Sequence, residues 1–255
     1  MNQDLPHLNW ELREDTALLQ INRPEKRNAI NDELIESLAT FFRAPPKEAK
    51  VVVLYGAGDN FCAGLDLLEH KEKNPFEVVH HSQGWHRCFE LIQFGGLPVV
   101  AALKGAVIGG GLEIAMATHV RICEPSTFFE LPEGKRGIFV GGGASVRVAR
   151  TIGAGRMVEM MLTGRRYNAE DGVRLGLGHY LVDEDEGLSK ALELAAMIAK
   201  NAPISNYAML TAISRIENMS MTEGLYTESL MAALAQTSDE AKTRITAFFA
   251  SRKRD

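Results

Sequence analysis

The sequence predicts an α/β fold with mostly parallel strands, followed by a helical C-terminal module. Apolar runs rich in β-branched residues alternate with helical stretches as far as about residue 182, which is the pattern of a sheet covered by helices. Beyond that point the strand signals stop, and long segments rich in Ala, Leu and Met predict packed helices. The change in composition places a domain boundary near residue 195, so that residues 1–195 form the core and 196–255 the helical module.

The N-terminal part of the core begins with a predicted strand at residues 17–21, which ends before Pro24. Asn31 or Asp32 then caps an amphipathic helix. The apolar face of this helix consists of Leu34, Ile35, Leu38, Phe41 and Phe42. Residues 51–55 (VVVLY) form a continuous apolar run, which predicts a strand buried on both faces.

The rest of the core repeats this alternation. Further strands are predicted at residues 98–103, 119–123 and 178–182. Helices are predicted between the strands at residues 76–94, 111–118, 145–152, 154–162 and 169–175. After the last predicted strand, further helices are predicted at 183–201, 204–216 and 221–249.

Composition and charge narrow the classes of function. The chain has 255 residues and a formal net charge of −5 without a basic run, which disfavours nucleic acid as a partner. The 3 cysteines are scattered and are expected to be reduced thiols. Residues 1–6 lack the features of a signal peptide, and the most apolar region, 91–120, is interrupted by proline, charges and glycines. We therefore expect a soluble, cytoplasmic protein without a membrane partner.

The strongest local signal is a glycine turn at residues 109–111, between a buried strand and a helix. Glycine lets the backbone approach a ligand closely, and the free amides of a helix start suit an anion or a developing oxyanion. The spacing fits neither a dinucleotide-binding fingerprint nor a P-loop. A second turn at residues 60–66 presents the Leu65 amide, so the two turns could donate to one carbonyl oxygen. Tight packing between helix and strand explains the glycines equally well.

Two carboxylates are the candidate acid and base. Glu113 lies in the first turn of the predicted helix among apolar residues, and Glu133 follows Pro132 in another apolar segment. Burial would raise the pKa of both groups towards neutrality, so that one could activate a water and the other deliver a proton. The alternatives are a favourable contact with the helix dipole for Glu113 and a solvated loop acid for Glu133.

Other reactive residues have simpler interpretations. Asp66 is expected to be a cap, and Cys62 has no activating base in its vicinity along the chain. His80, His81 and His86 do not share one helix face, so we expect no metal site.

Five segments, in order along nearly the whole chain, resemble motifs of the enoyl-CoA hydratase/isomerase (crotonase) superfamily. They are NRPEKRNA at 22–29, FCAGLD at 61–66, IGGGLE at 108–113, FELPE at 129–133, and LTG at 162–164 with Ala169, Gly176 and Leu177. The resemblance implies a spiral of ββα units and a helical C-terminal module that builds trimers, often paired into hexamers. It also implies an acyl-CoA substrate, with CoA as part of that substrate and no further cofactor.

The same resemblance assigns roles to individual residues. It places the oxyanion hole at the amides of Leu65 and Gly110, and the CoA moiety near Lys26, Ala29 and Ala63. It implies that Glu113 positions and deprotonates water and that Glu133 exchanges the proton at Cα. Near the C-terminus, Ser251 stands where the family often has lysine, so Arg252 or Lys253 is expected to contact the CoA phosphates.

Retention of both acids favours an enoyl-CoA hydratase, because an isomerase can work with a single carboxylate. Residues 80–87, 131–134 and 136–143 are most similar to the methylthioacryloyl-CoA hydratase branch. The family often has a proline and further glycines after a Gly-Ile or Gly-Leu pair, where this chain reads FVGGG at 139–143, which implies a differently shaped acyl pocket. The alternatives are a Δ3,Δ2-enoyl-CoA isomerase and a catalytically silent CoA-binding or RNA-associated scaffold.

Overall fold

The computed structural model describes residues 5–68 and 73–252, with side chains up to residue 250. The strands are β1 (Leu8–Arg13), β2 (Thr16–Ile21), β3 (Val51–Gly56), β4 (Val99–Leu103), β5 (Ala106–Ile108), β6 (Val120–Cys123), β7 (Phe128–Glu130), β8 (Tyr167–Asn168) and β9 (Tyr180–Leu181). The helices are α1 (Asp32–Arg43), α2 (Pro75–Phe94), α3 (Gly110–Ala117), α4 (Ala144–Ile152), α5 (Ala154–Thr163), α6 (Ala169–Leu175), α7 (Gly187–Ile198), α8 (Pro203–Ile216), α9 (Met221–Gln236) and α10 (Asp239–Arg252).

The strands form two sheets. The larger has the order β1-β2-β3-β4-β6-β9, in which only the β1–β2 pair is antiparallel, and the smaller has the order β5-β7-β8. The consecutive strands β4, β5, β6 and β7 therefore alternate between the sheets, as expected for a spiral of ββα units. This arrangement confirms the predicted α/β class with mostly parallel pairing.

The central strand β3 is buried on both faces, as its continuous apolar sequence predicts. Val52 and Leu54 belong to the main core, which α1, α2 and α3 also line. Val51 and Val53 face the other way, into a smaller core with Ala191 and Ala195 of α7. Each fully buried valine contributes on the order of 1.5–3 kcal/mol through the hydrophobic effect. The sheet thus holds the ends of β3 and β4 rigidly, and the candidate site lies beyond them.

Most predicted helices begin and end within a few residues of the observed ones, but the single helix predicted over residues 221–249 is wrong. The chain breaks at Thr237 and Ser238 into α9 and α10. The Ser238 hydroxyl accepts a hydrogen bond from the Ala241 amide at 3.2 Å, so it caps the start of α10. Over the part of the chain that the structure describes, no helix is both long and apolar enough to cross a membrane.

The strand β1 and the short strands of the smaller sheet were not predicted. The strands β5 and β7 have only 3 residues each, which is too short for an alternating pattern to be recognised. These short strands matter for the site, because β5 leads directly into the glycine turn and β7 leads towards Glu133.

Candidate active site

The three glycines before Glu113 are each required by a close contact at the start of α3. Gly109 has φ +50° and ψ −120°, a conformation that side-chain-bearing residues avoid. A Cβ on Gly110 would lie 2.6 Å from the Trp85 ring, and one on Gly111 would lie 2.3 Å from the Cys62 carbonyl oxygen. Gly110 is the first residue of the helix, so its amide has no acceptor within the helix. Tight packing and a free amide donor therefore occur together here.

The second glycine turn lies against the first. Gly64 has φ +87°, and a Cβ there would be 2.7 Å from the Ile108 carbonyl oxygen and 3.4 Å from the Gly110 amide nitrogen. Ile30 bonds to the peptide groups that flank Leu65, accepting from Asp66 and donating to Gly64, each at 2.8 Å. In this parallel pairing the Leu65 amide points away from Ile30. The structure thus brings together the two turns whose amides were predicted to share one acceptor.

The side chain of Glu113 is held in place by the loop that precedes α4. Its side chain is buried, and Oε1 accepts hydrogen bonds from the amides of Gly142 at 2.8 Å and Ala144 at 3.0 Å. Burial raises the pKa of Glu113, whereas these amides and the charge of Arg147 lower it. Gly142 has no room for a side chain, since a Cβ would lie 2.6 Å from Glu113 Oε2. Burial has the largest effect, so the pKa of Glu113 lies above its ordinary value, and the amides and Arg147 oppose this increase.

Glu133 has a different environment on the other side of the glycine turn. It begins the short 3-10 helix Glu133–Arg136 and is only 6% exposed, so the alternative of a solvated loop acid is wrong. A Cβ on Gly109 would lie 2.7 Å from Glu133 Oε1, which shows that the missing side chain makes room for this carboxyl group. Among the described residues, Oε2 has no hydrogen-bond partner. Burial is the main cause that raises the pKa of Glu133, its own backbone amide lowers it and the charge of Glu113 raises it, and together they give a pKa of about 7.

The two carboxyl groups have unlike surroundings, although burial raises the pKa of both. Glu113 has two amide donors and a nearby arginine, which favour a base. Glu133, with a pKa of about 7, is partly protonated and can donate a proton. A pair of carboxyl groups in unlike environments is the arrangement expected of an acid and a base that act on the same substrate.

This difference leads to a prediction about stability. The pKa of Glu133 in the folded protein, about 7, lies above its ordinary value of 4.5, so the folded state binds the proton more tightly than the unfolded state. The stability of the wild-type protein therefore falls as pH rises through this interval. Glu133→Gln removes the buried charge, so we expect its free energy of unfolding to exceed that of wild type by about 1–3 kcal/mol at about pH 8, with no such gain at about pH 4.

Urea unfolding at the two pH values measures this difference. The exposed Glu48→Gln is the matched control and should change stability at neither pH. A variant at Glu133 that is less stable than wild type at the higher pH would contradict the assigned environment.

The motif at residues 22–29 supports the second glycine turn. Asn28 is fully buried with φ +57°. Its Oδ1 accepts from the Arg23 amide at 2.9 Å, and its Nδ2 donates to the carbonyl oxygens of Ala57 at 2.9 Å and Asn60 at 2.6 Å. Sequence reasoning recognised this motif only by resemblance and missed the role of Asn28.

We expect Asn28→Ala to lower the free energy of unfolding by about 2–4 kcal/mol, because two buried carbonyl groups and one amide lose their partner and alanine is strained at this φ. Asn9→Ala, which removes a solvent-exposed amide–amide bond to Gln20, should cost less than about 0.5 kcal/mol. Urea unfolding compares the two, and equal costs would show that the buried network does not hold the turn.

The structure places three of the five predicted CoA-binding residues near one another. Ala63 donates to the Arg27 carbonyl oxygen at 3.0 Å, Ala29 donates to that of Lys26 at 3.1 Å, and Lys26 Nζ lies 3.8 Å from Asp66 Oδ2. Lys26, Ala29 and Ala63 therefore share one surface beside the Leu65 turn. The side chain of Arg252 and all of Lys253 lie outside the described residues, so their phosphate contact stays a prediction.

The contacts and the burial of the other candidate residues indicate structural roles. Asp66 accepts from the Leu68 amide at 3.1 Å and pairs with Arg23. Burial raises the pKa of Cys62 to about 12, which leaves its thiol unreactive. Within the described ranges, the one cluster with metal-ligand geometry comprises Glu124, Glu184 and Asp185, and Lys104 Nζ lies 2.6 Å from Asp185.

Comparisons with known proteins point to one family. The enoyl-CoA hydratase/isomerase family model matches residues 11–255. The chain is 32% identical to the enoyl-CoA hydratase EchA19 of Mycobacterium tuberculosis, covering 93% of this chain and 91% of that protein. It is 31% identical to a short-chain-enoyl-CoA hydratase of Clostridium acetobutylicum, covering 93% and 92%.

Solved structures show the same relationship. A protein from Rhodopseudomonas palustris, whose crystal structure bears a provisional enoyl-CoA hydratase name, superimposes with a TM-score of 0.96 at 49% identity, covering 98% of this chain and 97% of that one. With this fold, the two facing glycine turns and the matched family model, the chain belongs to the enoyl-CoA hydratase/isomerase family.

Proposed function

We propose that the protein is an enoyl-CoA hydratase, which adds water across the α,β double bond of an enoyl-CoA thioester. The observation that carries this proposal is the pair of buried carboxyl groups in unlike environments beside two facing amide turns. Glu113 accepts two backbone hydrogen bonds, and Glu133 has a pKa of about 7 and an unpartnered Oε2 among the described residues.

The proposed mechanism assigns one task to each group. The amides of Leu65 and Gly110 donate to the thioester oxygen and stabilise the enolate-like transition state. Glu113 holds a water molecule and takes its proton while the water oxygen bonds to Cβ. Glu133 gives its proton to Cα, and exchange with solvent then restores both groups to their starting states.

An isomerase is the second candidate, because the family includes both reactions. An isomerase moves one proton between two carbon atoms and can do so with a single carboxylate. The partial protonation of Glu133 next to an ionisable Glu113 supports hydration, which requires a base for water and an acid for carbon. A catalytically silent scaffold would not need two buried acids at this cost in desolvation.

The family resemblance supports more specific proposals about the substrate and the assembly. CoA lies along Lys26, Ala29 and Ala63. Arg252 or Lys253 contacts the phosphates of a CoA molecule that is bound to a neighbouring copy of the chain. We propose a homotrimer or a dimer of trimers, since α9 and α10 expose large apolar side chains that an assembly would cover. These include Leu225, Tyr226, Phe248 and Phe249. Among enoyl-CoA thioesters, we propose methylthioacryloyl-CoA as the substrate. We expect that no cofactor is needed, and a cytoplasmic location stays a prediction.

The experiment that tests this function is a panel of enoyl-CoA thioesters, including methylthioacryloyl-CoA, followed by loss of the enoyl-thioester absorbance. A hydratase removes the absorbance of 2-enoyl substrates and adds the mass of water. An isomerase instead creates that absorbance from 3-enoyl substrates without a change in mass. No response to any member of the panel would favour the scaffold.

A further inference from the structure

Arg147 connects the loop that holds Glu113 with helix α2. It lies on the first turns of α4, and its Nη1 donates to the Gly142 carbonyl oxygen at 3.1 Å. Its Nε donates to Gln93 Oε1 on α2 at 2.8 Å. One guanidinium group thus ties two elements together, and its planar, fixed geometry makes both hydrogen bonds directional.

Arg147 holds the peptide group between Gly142 and Gly143, which lies between the two peptide groups whose amides donate to Glu113. The amide of Gly142 donates to Glu113 Oε1, and the carbonyl of the same residue accepts from Arg147. Gly143 has φ +106°, and a Cβ there would lie 2.3 Å from Arg147 Nη1. The chain therefore passes close to the guanidinium at both Gly142 and Gly143.

The loop has a second attachment to α2. The Ser82 hydroxyl donates to the Gly141 carbonyl oxygen at 2.6 Å. This bond holds the loop at Gly141, next to the Gly142 carbonyl that Arg147 contacts, but Ser82 carries no charge. Of the two attachments, only Arg147 can act on Glu113 both through the loop and through its charge.

The charged groups around Glu113 come from three elements. Glu133 faces it from the short 3-10 helix and disfavours a second negative charge. Arg147 faces it from α4 and lowers its pKa, against the stronger effect of burial. On the other side of Arg147, Glu90 of α2 adds a negative charge that favours the charged guanidinium, and His86 lines the same cleft.

We propose that Arg147 is a positioning residue for the hydration: it fixes the loop whose Gly142 and Ala144 amides hold Glu113, and it places a positive charge beside this carboxyl group. The proposal rests on the proposed role of Glu113 as the base. Arg147 itself touches neither substrate nor water in this account. Gln93 accepts a hydrogen bond from Arg147 Nε and so orients the guanidinium group from helix α2.

The test compares Arg147→Met and Arg147→Lys with Arg150→Met, in pH profiles of kcat/KM for a short enoyl-CoA. Arg150 is an exposed arginine one turn further along α4, so its variant controls for loss of charge from the helix. We expect Arg147→Met to lower kcat/KM by about 10- to 100-fold, because the base is displaced and less ionised. The acidic limb of its profile should move to higher pH, since the group that lowers the pKa of Glu113 is gone.

Lysine restores the charge without the forked hydrogen bonds. Arg147→Lys should therefore return the acidic limb towards that of wild type while recovering only part of kcat. A purely structural role predicts a lower melting temperature with an unchanged pH profile, and that result would overturn the proposal, as would an equal effect of Arg150→Met. If Glu113→Gln is fully active, the proposed function fails instead, so the two failures are distinguishable.

Discussion

Glu113→Gln is expected to lower kcat/KM for hydration of a short enoyl-CoA by about 100- to 10,000-fold, because the amide cannot take a proton from water. The fold should survive this change. The glutamine oxygen can still accept from the Gly142 and Ala144 amides, which now donate to Oε1 at 2.8 and 3.0 Å. Removal of a buried charge also removes its desolvation cost. Loss of the enoyl-thioester absorbance measures the rate, and thermal unfolding measures the fold.

The matched control for this variant is Glu90→Gln. Glu90 is exposed on α2 and faces Arg147 rather than the loop, so it should change kcat/KM by no more than a few-fold. Wild-type turnover by Glu113→Gln would remove Glu113 from the mechanism. A large loss in both variants would instead indicate a general electrostatic effect.

Gly64→Ala should be the second most damaging change, although it adds only one methyl group. That group would lie 2.7 Å from the Ile108 carbonyl oxygen and 3.4 Å from the Gly110 amide nitrogen, at a φ of +87°. The two turns would have to separate, so the Leu65 and Gly110 amides could no longer reach one thioester oxygen. We expect a loss in kcat of about 100- to 1,000-fold, the effect of removing an oxyanion donor.

Gly155→Ala is the control for the glycine substitution. Gly155 lies in α5, and a Cβ there would meet nothing within 4 Å, so alanine should leave activity unchanged and stabilise the helix by up to about 1 kcal/mol. Both variants are compared by steady-state kinetics and by urea unfolding. A Gly64→Ala enzyme with normal kcat would show that the second turn does not act on the thioester.

The sequence supplied the fold class and the elements of the site, because these depend on local patterns. The buried run at residues 51–55 and the glycine turn before Glu113 both predict their surroundings directly. The local sequence could not decide between a buried and a solvated Glu133, since its burial depends on the missing side chain of Gly109, which is distant along the chain. The role of Asn28 was known only as part of a motif.

The remaining misses have similar physical causes. The short strands β5 and β7 are fixed by pairing with each other and not by their own periodicity. The break between α9 and α10 depends on one serine cap, Ser238, inside a sequence of otherwise good helix formers. Arg147 carried no signal at all, because a partly buried arginine on an amphipathic helix has the same sequence pattern as an exposed one.

The central claim is that Glu113 and Glu133 act together on one double bond held at the two amide turns. The most direct measurement is product analysis by mass spectrometry and NMR after turnover of a 2-enoyl-CoA in water labelled in both oxygen and hydrogen. We expect labelled oxygen at Cβ and labelled hydrogen at Cα, with both incorporations lost together in Glu113→Gln and in Glu133→Gln. Labelled hydrogen in carbon without labelled oxygen, or full incorporation by either variant, would contradict this account.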